Sequence, residues 1–443
     1  MKLKTLCLLA LISLTACSAV EGVFESKEKK KLPGERISVL ELQKQLEPDG
    51  DSITDETLIL PGAWKNEFWP QAGGYPNHSM QHLALGVSPL KLQWKADIGM
   101  GTNDEIPLTT VPVVVDGRIF AVDGFAVASA YDAKTGERLW KVSVKDPDED
   151  DIVIGGGIAY GAGKLYITNG YDEVLALKAD SGEILWRKDI PAPSRAAPTI
   201  MDDKLYVATR DNRLLALNSG TGELLWKHEG FTGSSGLVGA ASPAANRDIV
   251  VPAFTSGEIV ALRAANGSVA WSDNLSSIRS SSSGLSTLSD IRAMPVVDKG
   301  LVIAISFSGR LVAIDERTGS RVWQREISGT QMPWVAGGYI FLISEANELI
   351  ALSRDNGAIK FVTALPSWRD AESKDGAIRW AGPVLAGGRL IAAGNNGSII
   401  EIHPESGDVI GETKLERPVT MAPIVANETL FLMGTDGTLM AYK

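Results

Sequence analysis

Four histidines, two cysteines and a few acidic runs are the groups in this 443-residue sequence that could carry catalysis or hold a metal. His78 and His82 stand at i,i+4, the separation of two metal ligands on one helix face. They lie instead in a stretch rich in Gly, Pro and Asn with no HExxH around them, so packing histidines are expected. His403 sits in a turn beside Pro404 and needs no further role. Asp146-Pro-Asp-Glu-Asp-Asp151 gathers carboxylates, but it lacks the alternating spacing and the glycine of an EF-hand loop. A solvated loop is expected there. Gly155-Gly156-Gly157 opens a strand and not a helix, so it offers no cradle for phosphate. No GxSxG, Walker A or strand-to-helix GxGxxG motif occurs. The residues point to binding and not to catalysis.

Both cysteines, Cys7 and Cys17, fall near the N-terminus, so the rest of the chain has neither a disulfide framework nor a CxxC site. Lys2 and Lys4 precede the apolar run Leu6–Leu14, which is too short to span a bilayer. Leu14-Thr15-Ala16-Cys17 follows, in the form of a secretory signal. The stretch resembles a bacterial lipoprotein signal, which implies lipidation of Cys17. By the same resemblance, Ser18 implies sorting to the outer membrane, with the chain on its periplasmic face. Several acyl chains, palmitate among them, anchor stably where one does not. The net charge of −11 argues against nucleic acid, whose phosphates require clustered Lys and Arg.

The elements that must position any site are read from repeats. Ala216-Leu-Asn-Ser-Gly-Thr-Gly-Glu-Leu-Leu-Trp226 couples a strand end, a glycine turn and a second strand carrying tryptophan. The unit recurs at Tyr131–Trp140, Leu177–Trp186, Leu262–Trp271 and Ile314–Trp323, with degenerate copies ending at Phe361 and Ile410. Paired strands precede each copy. Four short strands at a period of roughly 40–50 residues are the signature of propeller blades. The chain ends inside a blade at Thr438–Tyr442, while Leu90–Trp94 is an orphan fourth strand near the start. Pairing them closes a ring and removes exposed edges. The expected fold is therefore all-β, an eight-bladed propeller of four-stranded antiparallel blades. Residues 1–17 form the signal, 18–61 a polar tether and 62–443 the propeller, including an aromatic arm at Trp64–Tyr75 that packs on it. The recurring tryptophans are expected to be inter-blade core.

Two inter-blade connections are longer than their fellows, Phe231–Pro243 and Leu275–Arg292. Loops on a rigid scaffold are where binding concentrates. The second mixes Ile278, Leu285, Leu288 and Ile291 with Arg279, Asp290 and Arg292, a composition suited to a protein interface.

The unit Leu/Ile-x-Ala-Leu/Ile-Asp/Asn-x-x-Thr-Gly-Glu-x-x-Trp resembles the pyrroloquinoline-quinone-type propeller repeat. Two families carry it on eight blades, the quinoprotein dehydrogenases and the BamB family of outer-membrane assembly lipoproteins. The Leu14–Cys17 lipobox, the length and the closing strand resemble the BamB family. That resemblance implies a non-catalytic scaffold, without cofactor or metal, binding the periplasmic domains of BamA alongside other subunits of the BAM complex. Direct contact with nascent outer-membrane proteins is a further implication. The family's contact motifs fall at Leu237-Val238-Gly239 and at Leu288-Ser289-Asp290-Ile291-Arg292. Leu237 and Asp290 are retained, whereas Val238 replaces an arginine and Arg292 an acid. The alternatives are a small quinone-dependent periplasmic dehydrogenase and a module for cell-wall glycan.

Overall fold

The computed structural model describes residues 46–50, 59–149, 151, 153–231, 237, 239–276 and 289–443. Glu47–Lys443 form one compact unit, and of Met1–Leu46 only Leu46 is described. The signal, Cys17 and most of the 18–61 segment thus lie outside the described residues.

The repeated turn works by local chemistry. Asp132 Oδ1 accepts from the backbone N–H groups of Lys134 (2.9 Å) and Thr135 (2.8 Å), and Gly136 closes the hairpin by donating to the Asp132 carbonyl. Asn218 does the same for Gly220 and Thr221. Gly136 and Gly222 both have φ near +73, a region that disfavours any residue with a Cβ.

The hairpins build eight four-stranded antiparallel sheets. The first blade comprises Val113–Val115, Arg118–Val122, Val127–Asp132 and Arg138–Ser143. Blades two to seven occupy residues 157–189, 199–229, 244–274, 296–325, 334–364 and 380–414. The eighth joins Ile424–Ala426, Thr429–Met433 and Thr438–Tyr442 to Leu92–Asp97. That last pairing runs from Leu92↔Tyr442 to Asp97↔Thr438, which is the expected ring closure, placed two residues later than the expected strand start. First strands are largely buried, as at Val113–Val115, while fourth strands are the most exposed of each blade, as at Arg138–Ser143.

Blades are glued by the aromatic position of one and the turn glycine of the next. Trp94 lies against Gly136, Trp140 against Gly182, Trp186 against Gly222 and Trp226 against Gly267. Trp271, Trp323 and Phe361 continue the series against Gly319, Gly357 and Gly407. A Cβ on any of these glycines would come within 2.4–3.0 Å of the aromatic side chain. Five of the indoles also donate Nε1–H to a carbonyl of the neighbouring turn, from 2.7 Å (Trp271 to Glu316) to 3.3 Å (Trp94 to Ala133). In the seventh blade Gly411, and not Ile410, takes the aromatic register, because Glu401↔Gly411 is equivalent to Ala351↔Phe361. The eighth blade receives its fourth strand from the N-terminus and has no such turn. An aromatic at Gly411 would have nothing to dock on.

The arm before the first strand makes a full circuit of one end of the ring. Asn66 bonds Val425 and Asn427 of the eighth blade, and Trp69 pairs with Val114 of the first. Pro70 accepts from Tyr160 of the second, and the Gln71 amide pairs both ways with Ile200 of the third at 2.9 Å. Pro76 and Asn77 accept from Ala245 and Val297 of the fourth and fifth blades. Gln81 accepts from Trp334 and Gly337 of the sixth, and Leu83 pairs with Leu385 and Gly387 of the seventh. The expected packing role of this arm is what the contacts describe. Its contacts start before Pro61: Asp49 is paired with Arg325 at 2.7 Å, and Ile59 accepts from Gly338. His78 and His82 are packing histidines, with Nδ1 2.7 Å from the carbonyls of Pro295 and Pro61 respectively.

Candidate partner-binding face

Above the arm, whose Trp69, Ala72 and Gly73 form part of the lining, the connections entering the first strands enclose a cavity of about 1020 Å³ on the ring axis. Its wall follows the repeat. Pro112, Pro198, Pro243, Pro295, Pro333 and Pro423 each directly precede a first strand, Pro383 lies within the first strand of the seventh blade, and the residue three before each proline lines the cavity. These residues are Thr109, Arg195, Ala240, Arg292, Thr330, Trp380 and Thr420. The residue directly before each proline lines it too, as with Ala197, Ser242 and Met294. Extended backbone alternates its side chains, so equivalent positions converge on the axis.

The two connections singled out from the sequence meet at this rim. Leu237 N–H donates to Asp290 Oδ2 at 2.6 Å, tying the third-to-fourth connection to the fourth-to-fifth. Asp290 is only 3% exposed, and its own carbonyl accepts from Phe307 N–H at 3.1 Å. Burial pushes its carboxyl above the ordinary value, against the opposing effects of the Leu237 N–H and the Arg292 guanidinium. Asp290 therefore shapes the rim and presents no free charge. Leu237, Gly239 and Arg292 line the cavity itself. Arg292 runs past Gly239, where a Cβ would only touch Arg292 Nε at 3.4 Å, so it is the φ of +89 that calls for glycine there. Burial lowers the Arg292 pKa, offset by Glu345 and Asp290.

Ile291 is buried in the core, donating to the Phe254 carbonyl, so it is not an interface side chain. Val238, Ile278, Arg279, Leu285 and Leu288 lie outside the described residues. Sequence reasoning missed Arg195, Arg379 and the hairpin Trp368–Asp370/Asp375–Ala377, which stands between the sixth and seventh blades and brings Trp368 to the cavity mouth. Its turn, Ala371-Glu-Ser-Lys374, lacks the Asn-Gly or Asp-Gly pair that marks a hairpin in sequence. Of the acidic run, Asp146 folds back to accept from Asp148 N–H, as a solvated turn does. Among the described residues, no three His, Cys, Asp or Glu side chains gather as metal ligands.

A family model described as outer membrane protein assembly factor BamB matches residues 87–153, 124–363 and 366–443. A protein of that name from Alkalilimnicola ehrlichii is 38% identical over 351 residues, covering 79% of this chain and 87% of its own length. The Escherichia coli K12 protein of the same name is 26% identical over 351 residues, covering 78% and 87%. Among solved structures, BamB from Moraxella catarrhalis superposes with a TM-score of 0.66 at 20% identity, over 80% of this chain and 99% of that one. Quinohemoprotein alcohol dehydrogenase from Comamonas testosteroni gives 0.62 at 13% identity, over 86% and 81%, a likeness of fold alone. Taken with the eight docked blades and the matched repeats, these findings place the chain in the BamB family of outer membrane protein assembly factors.

Proposed function

We propose that this chain is a non-catalytic scaffold in outer-membrane protein assembly, held at the periplasmic face of the outer membrane by acyl chains on Cys17. Its partner is BamA, whose periplasmic domains engage the rim at Leu237, Val238 and Arg292, with the buried Asp290 holding Leu237 in place from beneath and other BAM subunits assembled alongside. The observation that carries this reading is the Leu237–Asp290 hydrogen bond, which fixes two separate connections into one face on a rigid ring. Rigid presentation lowers the ordering cost of association. Arg292 stands where the family has an acid, so the charge pairing across this interface differs from that of the relatives.

Affinity purification of the tagged chain from solubilised membranes, followed by mass spectrometry, tests the reading. Recovery of BamA is expected from the parent and a marked loss from Leu237→Asp, with thermal unfolding unchanged. Asp290→Asn keeps an acceptor for the Leu237 N–H and should retain most binding, whereas Asp290→Ala should lose it. Equal recovery by Leu237→Asp and the parent would place the contact elsewhere. Recovery without BamA, coupled with dye reduction after addition of pyrroloquinoline quinone and Ca²⁺, would favour the dehydrogenase reading. Cys17→Ala should release the chain from the membrane fraction.

A further inference from the structure

The axial cavity differs in charge from the chain that encloses it. The whole sequence carries −11, yet the charged side chains in the cavity lining are three arginines and one glutamate. Arg195 and Arg292 occupy equivalent positions entering the third and fifth blades, and Arg379 precedes that position entering the seventh. The third, fifth and seventh blades thus each place an arginine on the cavity wall. None of the three is salt-bridged among the described residues, while the Glu345 carboxylate already accepts from Thr330 Oγ1 at 2.6 Å. Trp69 and Trp334 stand 6.3 Å apart, stacked in the floor, and Trp368 at the mouth is 39% exposed.

We propose that this cavity binds an acidic peptide segment, its carboxylates held by Arg195, Arg292 and Arg379 and an apolar side chain seated against Trp368 at the mouth. The guanidinium fork matches a carboxylate with two parallel N–H donors, which makes the pairing directional as well as electrostatic. Arg379 repels Arg292, which Glu345 and Asp290 only partly offset, and Arg195 is repelled by Arg210 beside it, so carboxylates entering the cavity relieve like-charge repulsion at both places. The volume suits a loop tip or a small ligand and not a folded domain. An extended polyanion is disfavoured, because most of its charge would lie over an acidic chain. A peptide is favoured over a free small molecule because the mouth opens on the rim carrying Leu237 and Phe307, where a segment lying across the face reaches inward. The site does not depend on which protein presents the segment, so it stands apart from the BamA reading.

The test uses the detergent-solubilised full-length chain and two blocked peptides, acetyl-Gly-Glu-Phe-Glu-Gly-amide and the same peptide with Gln for Glu. Calorimetric titration at low salt should show saturable binding of the acidic peptide, and affinity at least about tenfold weaker for its neutral twin. Added salt should weaken the first more than the second. The double variant Arg195→Gln/Arg379→Gln should lose the preference while melting as the parent does. Its two side chains are half-buried and exposed, without ion-pair partners among the described residues, so the fold does not lean on them. Equal affinity for the two peptides, or an unaltered preference in the double variant, would overturn the proposal. So would saturable binding of pyrroloquinoline quinone by a chain that takes neither peptide, which would make the cavity a cofactor site. The peptide comparison on the parent chain stands even if the variant misfolds.

Discussion

His78 makes the hold of the arm on the ring dependent on pH, in a direction and size that follow from its surroundings. It is 1% exposed, its Nδ1 faces the Pro295 carbonyl at 2.7 Å, and its Nε2 is buried without a hydrogen-bond partner. Burial is the dominant effect and lowers its pKa from 6.5 to about 4, with the Pro295 hydrogen bond opposing weakly. Above pH 6.5 the ring is neutral both in place and released, and its contribution is fully present. As pH falls, the released or unfolded chain takes up its proton first, so stability is lost progressively from 6.5 down to about 4 and levels below that. The displacement corresponds to about 3 kcal/mol across that window. The informative variant is His78→Asn. His78 has φ +61, a left-handed conformation that Asn tolerates, and the Asn amide can donate to Pro295 from near the Nδ1 position. The missing ring atoms cost about 1–3 kcal/mol at every pH, but the titration is gone. Denaturant unfolding, read by tryptophan fluorescence, gives stability against pH for both chains. Many carboxylates titrate in the same window, so the difference between the two curves is the measured quantity. Parent minus variant should fall by about 3 kcal/mol as pH drops from 6.5 to 4, so that the variant equals or overtakes the parent at the acid end. Parallel curves would refute the argument that burial of this imidazole sets the linkage.

The blade glue separates two costs of replacing a turn glycine. Gly319→Ala meets Trp271 Cβ at 2.4 Å as well as a φ of +75, and should cost about 2–4 kcal/mol, whereas Gly117→Ala has the same φ problem in open space and should cost about 1 kcal/mol; denaturant midpoints compare them. Arg389 and Glu401 form a buried ion pair at 2.5 Å with exposures of 5% and 1%, so Arg389→Met leaves an unpaired carboxylate and should cost about 3–5 kcal/mol of unfolding free energy. Gln71→Ala orphans the buried N–H and carbonyl of Ile200 and should cost about 1–3 kcal/mol, with faster hydrogen exchange at Ile200 than in the parent.

The blades were legible because each residue of the turn has a job done within a few residues of itself. Asp132 and Asn218 bond their own turns, Gly136 and Gly222 take the positive φ, and the tryptophan follows at a fixed offset. Ring closure was legible for a different reason: a fourth strand without a hairpin and a blade without a fourth strand leave one solution. The circuit of the arm was not legible. Asn66, Gln71 and Asn77 touch the eighth, third and fifth blades and Gln81 bridges the fifth and sixth, each through a few hydrogen bonds, and no periodicity ties their spacing to those blades. Asp290 was legible as important and misleading as to why, since composition cannot distinguish a carboxylate facing a partner from one buried beneath a loop. Arg195 and Arg292 show that more could have been read. Each stands three residues before a repeated proline, and alternation along an extended backbone sends that position to the axis in every blade that has the proline. Most blades place Thr or Ala there, which line a cavity without charging it. Two arginines at the same repeat position, with Arg379 adjacent to a third, concentrate positive charge on the axis of an acidic chain. Folding does not require that arrangement, since the wall is built equally well by Thr109, Ala240 and Thr420. A ring tolerant of small neutral residues that carries guanidinium groups instead is better explained by what enters the cavity than by what surrounds it.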